Sequence, residues 1–160
     1  MKKLILELEK SEVESDVAQA TAYTGAKSAS GAGAAEIFGR VATVDGDSCV
    51  VERFVRDACA VVAERLKEFV VSVNYAGPVV RLELSLSDAY DESMLPAARS
   101  SFRSFLAASA TDRWMRLAYA EKAAEWEQEA VRQLAALERN LYHRRRPRRR
   151  SACAGVADAE

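Results

Sequence analysis

Residues 51–75 read VERFVRDACAVVAERLKEFVVSVNY, and the period of the apolar side chains changes within this stretch. Val51, Phe54, Val55, Ala58, Val61, Val62, Leu66 and Phe69 recur mostly three or four apart, with Glu52, Arg53, Arg56, Glu64 and Lys67 largely off that stripe. This is one face of an amphipathic helix. From Val71 the pattern becomes strict alternation: Val71, Val73 and Tyr75 against Ser72 and Asn74, the period of a half-buried strand. A helix that feeds a strand, each with one apolar side, predicts a mixed α+β domain in which packed helices have a small sheet beside them.

Working outward, Gly77-Pro78 breaks the strand, and Leu82, Leu84 and Leu86 then alternate with Arg81, Glu83 and Ser85, which predicts a hairpin. A lone hairpin is marginal in water, so a third strand is needed. The N-terminus supplies it, with Leu4, Leu6 and Leu8 on one face and Lys3, Ile5, Glu7 and Glu9 on the other. Ser11 followed by Glu14 matches a capping box. Val13, Val17, Ala20 and Tyr23 predict a short helix to about Thr24, where Gly25 can end it. Residues 28–33 (SASGAG) read as a loop, and Asp45-Gly46-Asp47-Ser48 as a turn that caps the next helix.

Towards the C-terminus, Asp91, Ser93 and Pro96 mark a helix entry. Phe102, Phe105, Leu106, Ala110, Trp114 and Leu117 make one broad apolar face, and Ala123, Trp126, Ala130, Leu134, Leu137 and Leu141 a second. Leu117-Ala118-Tyr119-Ala120 between them holds no glycine or proline, yet a turn is expected there. A single helix from 96 to 143 would exceed the ordinary length of roughly 8 to 20 residues and would need sustained heptads, which are absent. The expected fold is therefore α+β, mainly α: a helical bundle of about four helices with a small antiparallel sheet of three strands. It forms one domain over residues 1–143, followed by a basic C-terminal tail, 144–160, without regular structure.

The net charge of −1 conceals a division. Arg144, Arg145, Arg146, Arg148, Arg149 and Arg150 fill six of seven positions, whereas residues 1–143 hold 17 basic against 22 acidic side chains. An acidic body with a basic tail points to an anionic partner, either nucleic acid or an acidic protein surface. No apolar run approaches the roughly 20 residues that span a bilayer, and Leu4-Ile5-Leu6 is too short for a signal peptide, so a soluble protein without membrane contact is expected. Cys49 and Cys59 read as core thiols, and Cys153 lies in the tail.

Little in the sequence points to chemistry. His143 stands without a second ligand, and the positions after Asp45 and Asp47 that would complete a calcium loop hold Cys49, Val50 and Arg56. Gly31-Ala32-Gly33 lacks the third glycine of a dinucleotide turn. The expectation is a protein that is not an enzyme, with no catalytic residue, cofactor or metal. Its candidate nucleic-acid or partner-binding residues are Arg144, Arg145, Arg146, Arg148, Arg149 and Arg150.

The segment from Asp47 through Ala58 to Phe69, an acidic turn leading into a helix, is similar to the first core helix of the head-tail connector (adaptor, head-completion) proteins of tailed bacteriophages. Residues 105–114 (FLAASATDRW) resemble a later helix of that family, alanine-rich and ending in an aromatic residue. The resemblance covers about residues 45 to 143; the N-terminal strand and the arginine tail depart from the family pattern. It implies a phage- or prophage-encoded virion structural protein, made in the bacterial cytoplasm and located in the virion neck. Such a protein self-assembles into a ring around the DNA channel, with portal and tail proteins as partners. The alternative is a nucleic-acid-binding accessory protein anchored by the arginine run.

Overall fold

The computed structural model describes residues 1–28 and 33–145. In chain order these form β1 (Lys2–Glu9), α1 (Lys10–Ser28), α2 (Ala34–Val41), α3 (Ser48–Arg65), β2 (Val70–Asn74), β3 (Val79–Leu86), α4 (Leu95–Ala118) and α5 (Ala123–Tyr142). Single 3-10 turns at Asp45–Asp47, Glu92–Met94 and Ala120–Lys122 lead into α3, α4 and α5. The architecture is the expected α+β, mainly α fold, with α2 an additional short helix where only an apolar stretch around Ile37 and Phe38 is legible.

The sheet is antiparallel throughout, in the order β1-β3-β2. Leu4, Leu6 and Leu8 of β1 and Val80, Leu82, Leu84 and Leu86 of β3 are all buried on one face. They join one core with Val13 and Val17 of α1, Phe54, Val55, Ala58 and Val62 of α3, Phe102, Phe105 and Leu106 of α4, and Leu137 and Leu141 of α5. The opposite face of the sheet carries charges, with Lys3 Nζ 3.1 Å from Glu83 and Arg81 3.3 Å from Glu7.

Four local readings are corrected. First, α1 does not stop at Thr24 but continues to Ser28, and Gly25 is buried inside it. A Cβ at Gly25 would stand 3.3 Å from the Phe38 ring and 3.4 Å from Val41, so the glycine serves the close approach of α2 rather than a helix end. Second, the buried face of α1 runs through Thr21 and Thr24, while Tyr23 is exposed. The two threonines hide their hydroxyls by donating to the carbonyls of Ala18 and Ala20, at 3.0 and 2.8 Å. Third, Val61 is exposed, because the buried stripe of α3 passes through Cys59 and Val62. Phe69 lies beyond the helix and packs edge-on against Tyr142, ring centroids 5.1 Å apart. Fourth, Cys49 is exposed in the first turn of α3, about 200° around the helix from Val51, whereas Cys59 is buried as expected.

The turn between α4 and α5 forms at Tyr119, whose φ of −157° and ψ of 77° leave the helical region. Its cause is tertiary. Val41, Met115 and Ala123 make a second small core with Ile37, Tyr119 and Trp126 packed around it, so the chain folds over the end of α2. Trp114 fixes this corner by donating its indole N–H to the Val41 carbonyl at 2.7 Å.

Candidate functional site

The arginine run begins where α5 ends. Residues Tyr142 and Leu141 close the helix, and His143 turns extended, with φ −66° and ψ 126°. The chain then pairs with the loop that connects β3 to α4: Tyr90 and Arg144 form an antiparallel bridge. The Asp91 N–H donates to the His143 carbonyl at 3.2 Å, and the Arg145 N–H to the Ala89 carbonyl at 2.9 Å. Arg144 and Arg145 thus belong to the folded body, which extends past residue 143. Arg146, Arg148, Arg149 and Arg150 lie outside the described residues.

Asp91 organises this exit. Its carboxylate accepts the Ser93 N–H at 3.1 Å, starting the turn into α4. The same carboxylate stands 3.9 Å from Arg145 Nε and 3.8 Å from His143 Nδ1. The Ser93 hydrogen bonds, helped by the nearby Arg145 and His143, hold the Asp91 carboxyl below the usual aspartate range. Glu92 is likewise lowered, chiefly by Lys2, whose Nζ lies 2.8 Å away. Under this surface layer Tyr90 is buried, and burial pushes its phenol above the ordinary tyrosine value. The amino-terminal NH3⁺ also lies at this end of the sheet, 2.7 Å from Asp88.

Arg144 and Arg145 are exposed, and among the described residues the guanidinium of Arg145 makes only the loose contact with Asp91. They are available to an anionic partner. By contrast, half-buried Arg103 is committed within the body, forking onto Asp16 at 2.6 and 2.9 Å and reaching Glu12 at 3.0 Å. His143 is at the surface, as expected.

The remaining residues singled out from the sequence have structural surroundings. Asp47 accepts the Val44 N–H at 2.9 Å and so closes the turn before α3. Trp114 and Trp126 are half-buried against the two cores. Cys59 is apolar in its setting, and burial pushes its thiol up to about 12, which keeps it protonated at neutral pH. One feature had no sequence signal: an open cleft of about 820 Å³ between the end of α1 and the start of α5, walled by Tyr23, Lys27, Tyr119, Lys122, Glu125 and Trp126. These residues are distant in sequence and meet because α4 and α5 fold back on α1. No helix among the described residues is long and apolar enough to cross a membrane.

No family model, curated protein or solved structure matches the chain.

Proposed function

We propose that the chain is a phage or prophage structural protein of the head-tail connector type, which self-assembles into a ring between portal and tail. In this reading Arg144–Arg150 dock on the acidic body of a neighbouring copy. The observation that carries it is the anchored start of the arginine run. Two backbone hydrogen bonds, which together make the Tyr90–Arg144 bridge, give the run a set point of departure, beside the end of β3. Holding Arg144 and Arg145 in this way lowers the ordering cost of docking at the start of the run. The excess of acidic over basic side chains in residues 1–143 makes a second copy a suitable receiver, and the planar arginine fork suits carboxylates.

Truncation after Arg145 tests this, since it removes four of the six arginines and leaves the anchor whole. The truncated chain should keep its thermal stability and lose ring formation and incorporation into particles. Nucleic acid is the rival partner. If the full chain binds duplex DNA with log affinity falling linearly with log salt, and truncation flattens the slope, the nucleic-acid reading replaces docking. A truncated chain that assembles as the full chain does would refute the docking role.

A further inference from the structure

The two edges of the sheet are unlike. β2, at one edge, has five residues and a break of register between Val70 and Ser72. Irregularity of this kind blunts an edge against pairing with another chain. β1, at the other edge, runs for eight residues without proline, glycine or bulge, paired with β3 in one unbroken register from Lys2↔Leu86 to Glu9↔Val79.

The direction of its backbone groups follows from two hydrogen bonds. In an antiparallel ladder each residue turns both N–H and C=O either to its neighbour strand or away from it, in alternation. The Lys10 N–H donates to the Pro78 carbonyl at 2.8 Å, continuing the β1/β3 register, and the Ser85 N–H donates to the Phe69 carbonyl on the β2 side at 2.7 Å. Lys2, Leu4, Leu6 and Leu8 therefore face β3. Lys3, Ile5 and Glu7 turn their backbone groups to the free edge, where no hydrogen bond from a described residue reaches them. The side chains of these same three residues lie on the exposed face, Ile5 being 36% exposed between the two charges.

We propose that β1 pairs with β1 of a second copy about a two-fold axis, joining the two sheets into one of six strands. Antiparallel pairing centred on Ile5 sets Ile5 opposite Ile5, and Lys3 opposite Glu7 on both sides of the axis. All three are outward-facing positions, so each forms a hydrogen-bonded pair. Lys3 then lies between Glu83 of its own β3 and Glu7 of the second copy, extending the charge ladder across the junction. On the inner face Leu4 meets Leu6, which continues the buried leucine layer. A slip by one residue would turn leucines to the charged face, and a slip by two would set Ile5 against a charge, so the pattern selects one register.

The contact is independent of the arginine run, and its test uses the full chain. Sedimentation equilibrium at a salt concentration that screens the arginine docking should find a dimer. Ile5→Pro removes an N–H that no ladder bond within the chain uses, so the fold should survive, while the dimer dissociation constant rises at least tenfold. Ile5→Lys, which sets two cations on the axis, should do the same if proline disturbs folding. Ile5→Cys should crosslink between copies under mild oxidation, the paired Cα atoms being about 5.5 Å apart. A wild-type chain that stays monomeric at all concentrations, or a folded Ile5→Lys chain that dimerises as the wild type does, overturns the proposal. Truncation after Arg145 should leave the dimer intact, so failure of the docking reading and failure of this one give different results.

Discussion

Asp91 is the residue on which the exit of the arginine run turns. Its side chain starts the turn into α4 through Ser93, and its main chain holds His143. A carboxyl whose pKa is lowered by folding stabilises the folded arrangement above the ordinary aspartate value of about 3.9, and that contribution is lost as pH falls through the lowered value. The Arg145 amide, bonded to Ala89, should therefore keep its hydrogen-exchange protection from pH 8 down to about 5 and lose part of it below about 4. Glu92 and Asp88, also lowered, loosen the same region in acid, so the substitution Asp91→Asn isolates the effect. In Asp91→Asn the protection should start lower and fall less on acidification. Identical acid profiles in the two chains would show that the backbone pairing alone makes the anchor. The ion contact itself is exposed and worth little, which is why the prediction concerns the local amide and not the midpoint of global unfolding.

Among the elements, α1 and α2 show where local preference yields to packing. Glycine inside a helix costs roughly 1 kcal/mol relative to alanine, yet Gly25 stays because α2 crosses at the distance of a missing side chain. Gly25→Leu should destabilise by about 1 to 3 kcal/mol despite its better helix propensity, as overpacking does. A rise in the denaturation midpoint would mean that α2 can move away at little cost. The same pair explains what was legible in the sequence. The strands β1 and β3 and the helices α3, α4 and α5 announce themselves through periods of 2 or near 3.6, since each keeps one face in the core; in β2 the break of register sets Val70 and Val73 against the core and leaves Val71 exposed, against the expected alternation. α2 does not, and the turn at Tyr119 follows only from the limit on helix length, not from a local signal. The turn at Tyr119 depends on Val41, Met115 and Ala123 meeting from three separate elements, and the end of α1 on a neighbour twelve or more residues away. No local pattern encodes those meetings. The arginine run was visible from composition, but its anchor was not, because the bonds that make it are main-chain bonds between Ala89, Asp91, His143 and Arg145.

For the whole molecule the decisive question is how the two proposed contacts combine. The β1 contact uses the same surface on both copies and closes at two. The docking of Arg144–Arg150 on a neighbour joins unlike surfaces, so it propagates until it closes as a ring. A chain that carries both should build paired rings with an even number of copies. Native mass measurement of the assembled full chain should thus give an even copy number. Ile5→Lys should halve the assembly mass and leave single rings, because the docking surfaces remain. Truncation after Arg145 should have the reverse effect, abolishing rings and leaving dimers. The charge division sets the salt dependence of each step. Ring formation, driven by arginines against a body with 22 acidic and 17 basic side chains, should weaken steeply with salt. The β1 dimer, held chiefly by backbone hydrogen bonds and apolar contact, should persist, with only the Lys3–Glu7 pairs screened. An assembly that falls directly to monomers as salt is raised, without passing through dimers, would show that the two contacts are not separate and that the arginine run holds both.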